Sequence, residues 1–149
     1  MNLDIRPFDH RWQAATAALI NRNLGLRFGF EDPSLNPDLE DIDGAYCRPA
    51  GSTFLLAFVD HELVGTGALQ PEAPGVGRVA RMHTAPAWQG TGVGSRMLSR
   101  LEQQARVLGY QRLVLETNED WYDAVHFYQQ RGYQATGRRA GEMHFARDL

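Results

Sequence analysis

Gln89-Gly90-Thr91-Gly92-Val93-Gly94 can do chemistry without a reactive side chain. Glycines at alternate positions strip this loop of bulk. Its backbone N–H groups can then converge on an anion, and a helix opening directly behind adds the positive end of its dipole. A loop of this kind holds a phosphate or pyrophosphate. Two familiar phosphate loops do not fit. A dinucleotide fingerprint needs G-x-G-x-x-G in an early strand–helix unit; here Ser95 stands where the third glycine would fall, and the unit comes late in the chain. The Gly-Lys-Ser/Thr ending of a nucleotide P-loop is absent. A plain strand-to-helix turn would also use glycines, so the surroundings must decide. A second cluster lies downstream in Ala124, Phe127, Tyr128, Gly132 and Tyr133, and an acidic stretch precedes both. Residues 31 to 43 hold Glu31, Asp32, Asp38, Glu40, Asp41 and Asp43 with no Lys or Arg. Such a stretch is either an acidic rim that concentrates cations or the solvated face of a short helix.

These residues need elements to position them. The segment from Val93 to Leu108 places Val93, Met97, Leu98, Leu101, Ala105 and Leu108 on one helical face, and Gly109 stops it. Val79 to Thr84, halted by Pro86, predicts the strand before the loop. Leu113-Val114-Leu115 predicts a short buried strand. Tyr122 to Arg131 predicts the last helix, ending at Gly132. Upstream, Leu3, Ile5 and Phe8 suggest a first strand ending near Pro7. Trp12 to Leu24 suggests a first helix with Asp9 as its cap. A short helix through Leu39 and Ile42 has Pro37 at its first position. Phe54–Val59 and Leu63–Leu69 form a hairpin around Asp60-His61-Glu62, with a bend expected near Gly65 and Gly67. Pro71, Pro74 and Gly75 suggest a loop, and Ala140-Gly141 the turn of a final hairpin. The order implies a single α/β domain over residues 1–149. Its central sheet is mixed and mostly antiparallel, with about six or seven strands and about four flanking helices.

Composition narrows the function. The chain has 149 residues, a net charge of −3, 43% hydrophobic and 22% charged residues. That is the profile of a globular domain without a global electrostatic attraction to nucleic acid or anionic membranes. The single cysteine, Cys47, forms no internal disulfide and no cysteine metal cluster. No secretory leader, membrane span or metal site is expected, and a cytoplasmic location follows as an expectation.

Gln89-x-x-Gly92-x-Gly94 resembles the Arg/Gln-x-x-Gly-x-Gly/Ala motif of the GCN5-related N-acetyltransferase superfamily. Arg81-Met82-His83-Thr84 resembles that family's fourth strand, and Leu113 to Asn118 its fifth. Val93–Leu108 with Gly109-Tyr110 resembles its third helix. Ala124 to Tyr128 followed by Gly132-Tyr133 resembles its fourth helix and ending. The likeness is closest from Arg78 to Tyr133. It implies a sheet splayed between the fourth and fifth strands, with acetyl-CoA in the gap. Backbone groups of Met82, His83 and Thr84 would then pair with the pantetheine arm, as a strand edge does. Amides of Gly90, Thr91, Gly92, Val93, Gly94 and Ser95 would hold the pyrophosphate, with Gln89 assisting and Arg96 or Arg100 within reach of a phosphate. Tyr128 would stand near the thioester sulfur as a proton donor, with Asn118 as a further cofactor contact. Many members carry an asparagine nearer Ala124, where this chain has Trp121.

The resemblance further implies a free amine as nucleophile, a small molecule or peptide. Glu116 is the first candidate to take its proton and His83 the second. An N–H near Met82 would stabilise the oxyanion. Trp121 and Tyr122 would wall the acceptor site, and Arg138 or Arg139 could meet an acceptor carboxylate. A different acyl-CoA donor, or a non-catalytic acyl-CoA-binding domain, are the alternatives. A homodimer through the C-terminal strands is possible in such a family.

Overall fold

The computed structural model describes residues 1–149, which build one seven-stranded sheet in the order β1-β2-β3-β4-β5-β7-β6. The strands are β1 (Leu3–Pro7), β2 (Thr53–Val59), β3 (Glu62–Ala73), β4 (Val76–Thr84), β5 (Arg112–Asn118), β6 (Gln134–Arg139) and β7 (Glu142–Asp148). Only β4 and β5 are parallel neighbours. Three α-helices flank the sheet: α1 (Gln13–Phe28), α2 (Val93–Val107) and α3 (Tyr122–Gln130). Short 3-10 turns and one π turn between Pro33 and Cys47 supply the fourth helical segment. The expected mixed, mostly antiparallel architecture is the one found.

Strand alternation divides the core into two layers. Phe54, Leu56 and Phe58 of β2 face Ile20 of α1 and Leu39, Ile42 and Tyr46 of the turns. Leu55, Ala57 and Val59 face the other way, onto Val93, Met97, Leu98 and Leu101 of α2. Being apolar on both faces, β2 is buried on both. Gly65 and Gly67 do more than bend β3. A Cβ at Gly65 would lie 2.8 Å from Val93, and one at Gly67 2.8 Å from Leu101, so their absence lets α2 sit close on the sheet. A bulge does occur in β3 beside Val64.

Several boundaries differ from those read in the sequence. Asp9 caps a 3-10 turn, His10–Trp12, that leads into α1, and α1 continues through Gly25 to Phe28. The expected helix over Leu39 and Ile42 is instead a 3-10 turn, Pro37–Glu40, followed by the π turn Asp43–Cys47. Pro71 does not end β3. It lies beyond Thr53↔Leu69, the last pairing of β3 with β2, where no ladder hydrogen bond is lost to proline. The strand therefore continues to Ala73 and turns at Pro74-Gly75 into β4. Asp60-His61 and Ala140-Gly141 both adopt positive φ, as a two-residue hairpin turn requires. No helix is long and apolar enough to cross a membrane.

One buried polar cluster ties the second layer together. The Tyr133 hydroxyl donates to Glu102 Oε2 at 2.8 Å, and Arg147 Nη1 donates to the same oxygen at 2.6 Å. Burial and the neighbouring Glu102 charge push the Tyr133 phenol well above its ordinary range. Arg147→Ala would leave Glu102 buried against a neutral hydroxyl alone. Because Arg147 is partly exposed, the expected loss is about 2–3 kcal/mol, below that of a fully dry pair, read from urea denaturation.

Candidate active site

Strands β4 and β5 pair only from Val76 to Arg78 and from Arg112 to Val114. Beyond that point they separate. Val79–Thr84 and Leu115–Asn118 then border a cavity of about 540 Å³. The divergence has a local cause. The register between β3 and β4 jumps from Thr66↔His83 to Ala68↔Ala80, which inserts an extra residue into β4. Arg81 sits at this bulge with φ 51°, in the left-handed region that a long side chain rarely adopts. Two contacts hold it there. The fully buried Thr66 donates from its hydroxyl to Arg81 O at 2.7 Å. The guanidinium forks onto Asp38 at 2.7 and 3.0 Å and reaches Asn36 Oδ1 at 3.3 Å.

That network bears on the two readings of the acidic stretch. Burial alone would raise the Asp38 carboxyl. Hydrogen bonds from Arg81 and Tyr46 outweigh it and hold the group below the usual carboxylate range. Asp32 accepts from Ser34, Asp41 from Gly44 N, and Asp43 pairs with Arg48 at 2.7 Å. These four aspartates hold turns or partners, while Glu31 and Glu40 stay exposed.

The glycine loop leaves its amides without protein partners. No N–H from Gly90 through Ser95 donates to a protein acceptor; Arg96 N, bonded to Gly92 O at 3.1 Å, begins the helix ladder. Gly90 and Gly92 have φ 78° and 97°, and a Cβ at either would meet nothing within 4 Å. Gly94 differs: its φ is ordinary, and a Cβ there would stand 3.4 Å from the Phe127 ring. The loop is braced from in front. Trp88 Nε1 donates to Glu62 at 2.8 Å, and Gln89 Nε2 to Thr84 O at 3.2 Å. One donor of Gln89 is thereby committed to the bracing. Arg100 donates to Ile5 O at 3.3 Å, whereas Arg96 is exposed.

Met82, His83, Thr84, Gln89, Glu116, Asn118 and Tyr128, all singled out in the sequence, line the one cavity. The glycines follow directly after Gln89. Tyr128 is buried among Phe127, Tyr133 and Phe145, with ring centroids 5.1, 5.8 and 6.2 Å away. Burial pushes its phenol above the ordinary range, and no hydrogen bond from the protein engages its hydroxyl. Glu116 forms an ion pair with Arg78 across the point where the strands part. His83 is held down to about 4 by burial and by the charges of Arg81 and Arg27, so it is neutral at pH 7. Asn118 Oδ1 accepts from Asp120 N at 3.0 Å.

The sequence reading missed Asn23, Arg27, Asp123 and Glu142 of the lining and did not assign Arg81 a role in it. Asn23 Nδ2 donates to Thr84 O at 2.9 Å. Arg27, at the end of α1, makes two hydrogen bonds to Asp123 of α3 at 2.8 and 2.9 Å and lies 4.6 Å over the Trp121 ring. Trp121 lines the cavity, while Tyr122 is 75% exposed and outside the lining. Arg138 and Arg139 lie on the exposed strand β6, also outside it, and Arg139 contacts His144 at 3.1 Å.

Comparison with known proteins agrees with this geometry. The rat (Rattus norvegicus) N-acetyltransferase 8B is 36% identical over 109 residues, covering 70% of this chain and 49% of the relative. The chain thus spans about half the length of the curated relatives it matches first. Among solved structures, a GNAT-family acetyltransferase from Staphylococcus aureus Mu50 superposes with a TM-score of 0.91 at 20% identity, covering 99% of both chains. The paia N-acetyltransferase of Thermoplasma acidophilum, solved in complex with coenzyme A, superposes with a TM-score of 0.84 at 13% identity over 100% of both chains. The profile of the acetyltransferase (GNAT) family matches residues 16–133, and the chain belongs to that family.

Proposed function

We propose that this chain transfers an acetyl group from acetyl-CoA directly to a primary amine of a small molecule or peptide. One observation carries the reading. A run of unpartnered N–H donors, Gly90 to Ser95, adjoins a cavity that contains a buried phenol with a free hydroxyl. The loop fits a diphosphate, because its N–H donors have no protein acceptor and a Cβ at Gly90 or Gly92 would meet nothing within 4 Å. The edge of β4 at Met82, His83 and Thr84, which β5 does not pair, fits an extended amide-bearing arm. The coenzyme A complex of the Thermoplasma neighbour supports the same donor.

The bound thioester supplies the acyl carbon; the chain's residues handle position and protons. The amine nitrogen bonds to the acyl carbon as the carbon–sulfur bond breaks. Glu116 takes the proton that the amine loses, directly or through water. Tyr128 gives its proton to the departing sulfur and regains one from solvent as Glu116 releases one to it, so charge and protons balance. A main-chain N–H at the β4 bulge, near Met82, serves the developing oxyanion. His83, neutral at pH 7, orients the amine as a hydrogen-bond partner.

Thermal unfolding with acetyl-CoA tests the donor. At 100 times its dissociation constant the ligand should add about 2.7 kcal/mol of stability, a rise of roughly 5–10 °C for a chain of this size. Thiol release over a panel of amines tests the transfer. No thermal shift at saturation would remove the reading. A shift with no turnover on any amine would leave an acyl-CoA-binding domain in its place.

A further inference from the structure

The charges around the cavity restrict which amine it admits. Both arginines of the lining are neutralised: Arg27 by its two hydrogen bonds to Asp123, and Arg81 by its fork onto Asp38. Of the lining carboxylates, Asp123 is bound to Arg27 and Glu116 to Arg78. Glu142, exposed, makes no salt bridge, although Arg139 lies opposite it on β6. It starts β7, directly across from Asn118 of β5. An acceptor carboxylate would therefore meet arginines whose charge is already balanced by Asp123 and Asp38, with the charge of Glu142 against it. An ammonium meets no such penalty and gains Glu142.

Part of the lining is apolar. Leu26 and Phe28 project from the end of α1, 65% and 52% exposed, although both line the cavity. The Phe28 ring lies 5.5 Å from Trp121 and 6.5 Å from Phe30. The Arg27–Asp123 pair staples the tip of α1 to the start of α3, so these aromatic groups stand on a fixed lip. Apolar surface held in place beside a catalytic cavity gains most when an apolar group covers it.

Resting on the transfer reading above, we propose that the acceptor is a cationic amine with an apolar, aryl-sized body and no carboxylate. Its body seats against Leu26, Phe28 and Trp121, and Glu142 draws in its ammonium.

Three probes separate the two requirements: 2-phenylethylamine, ethylamine without the ring, and phenylalanine with an added carboxylate. Thiol release gives kcat/KM for each, and calorimetry gives the affinity of each for the protein. 2-Phenylethylamine should exceed ethylamine by about tenfold or more, the size of effect that burying a ring gives. It should exceed phenylalanine by at least as much in both readouts. Phe28→Ala should shrink the 2-phenylethylamine to ethylamine ratio toward one. Glu142→Gln should raise KM for 2-phenylethylamine and narrow its advantage over phenylalanine. Phenylalanine matching or surpassing 2-phenylethylamine, or a ratio indifferent to Phe28→Ala, would overturn the assignment. The calorimetric ranking decides the matter even where turnover is absent, whereas loss of the acetyl-CoA thermal shift strikes the transfer reading instead.

Discussion

Gly92→Val should weaken acetyl-CoA binding by about 100-fold or more, with a smaller effect on folding. Gly92 is the N-cap of α2 and has φ 97°. A β-branched residue is a genuine outlier in that region, and even an ordinary L-residue is about 1–2 kcal/mol worse there than glycine. Nothing lies within 4 Å of the new Cβ, so the strain comes from the backbone and not from a clash. The loop can relieve it only by rotating the peptides that carry the free N–H groups of Gly90 to Ser95. Hydrogen bonds to charged groups contribute about 1.5–3 kcal/mol each, so misaiming two of these donors is enough for the expected loss. Gly92→Asn should recover part of the affinity, because asparagine tolerates the left-handed region. Gly94→Ala should be milder, since its φ is ordinary and its Cβ meets only the Phe127 ring edge at 3.4 Å. Isothermal titration with acetyl-CoA ranks the three, and urea denaturation separates folding from binding. Equal affinity in Gly92→Val would mean that the loop does not grip the diphosphate.

The loop proposed to hold the donor was legible as structure because its information is contiguous. Six residues, Gln89 to Gly94, carry the loop's conformation and its exposed amides, and α2 behind them shows an unbroken apolar face. The acceptor half was not legible, because it is assembled by distant pairs. Arg27 meets Asp123 96 positions away, and Arg81 meets Asp38 43 positions away. No spacing signals such contacts. The acidic stretch misleads for the same reason: its attraction for a free amine depends on whether its aspartates already have partners, and most do. Glu116 illustrates how register matters. Its pairing with Arg78 follows from Arg78 lying opposite Val114, a register between parallel strands that the sequence of neither strand states. In the fold, the misplaced boundaries share a cause. Gly25 and Pro71 break local propensity, and tertiary packing carries α1 and β3 past them.

Tyr128→Phe should lower kcat about 100-fold, within the range that a positioned proton donor contributes, and leave acetyl-CoA affinity unchanged. The contrast between chemistry and packing is unusually clean at this position. Phenylalanine keeps the ring and therefore the edge contacts with Phe127 and Tyr133 and the tilted contact with Phe145. The deleted hydroxyl makes no hydrogen bond within the protein, so its removal orphans no partner, and Tm should not fall. Burial holds the phenol protonated beyond the ordinary tyrosine range. Raising the pH toward the amine's own pKa should then increase the wild-type rate, because more amine is in its free form while the donor stays charged with its proton. A phenol of ordinary acidity would instead impose a fall as the pH nears 10. Tyr128→Phe should lower the rate at every pH without moving the amine-dependent rise along the pH axis. Wild-type kcat in this variant would reduce Tyr128 to a packing residue and require another donor for the departing sulfur.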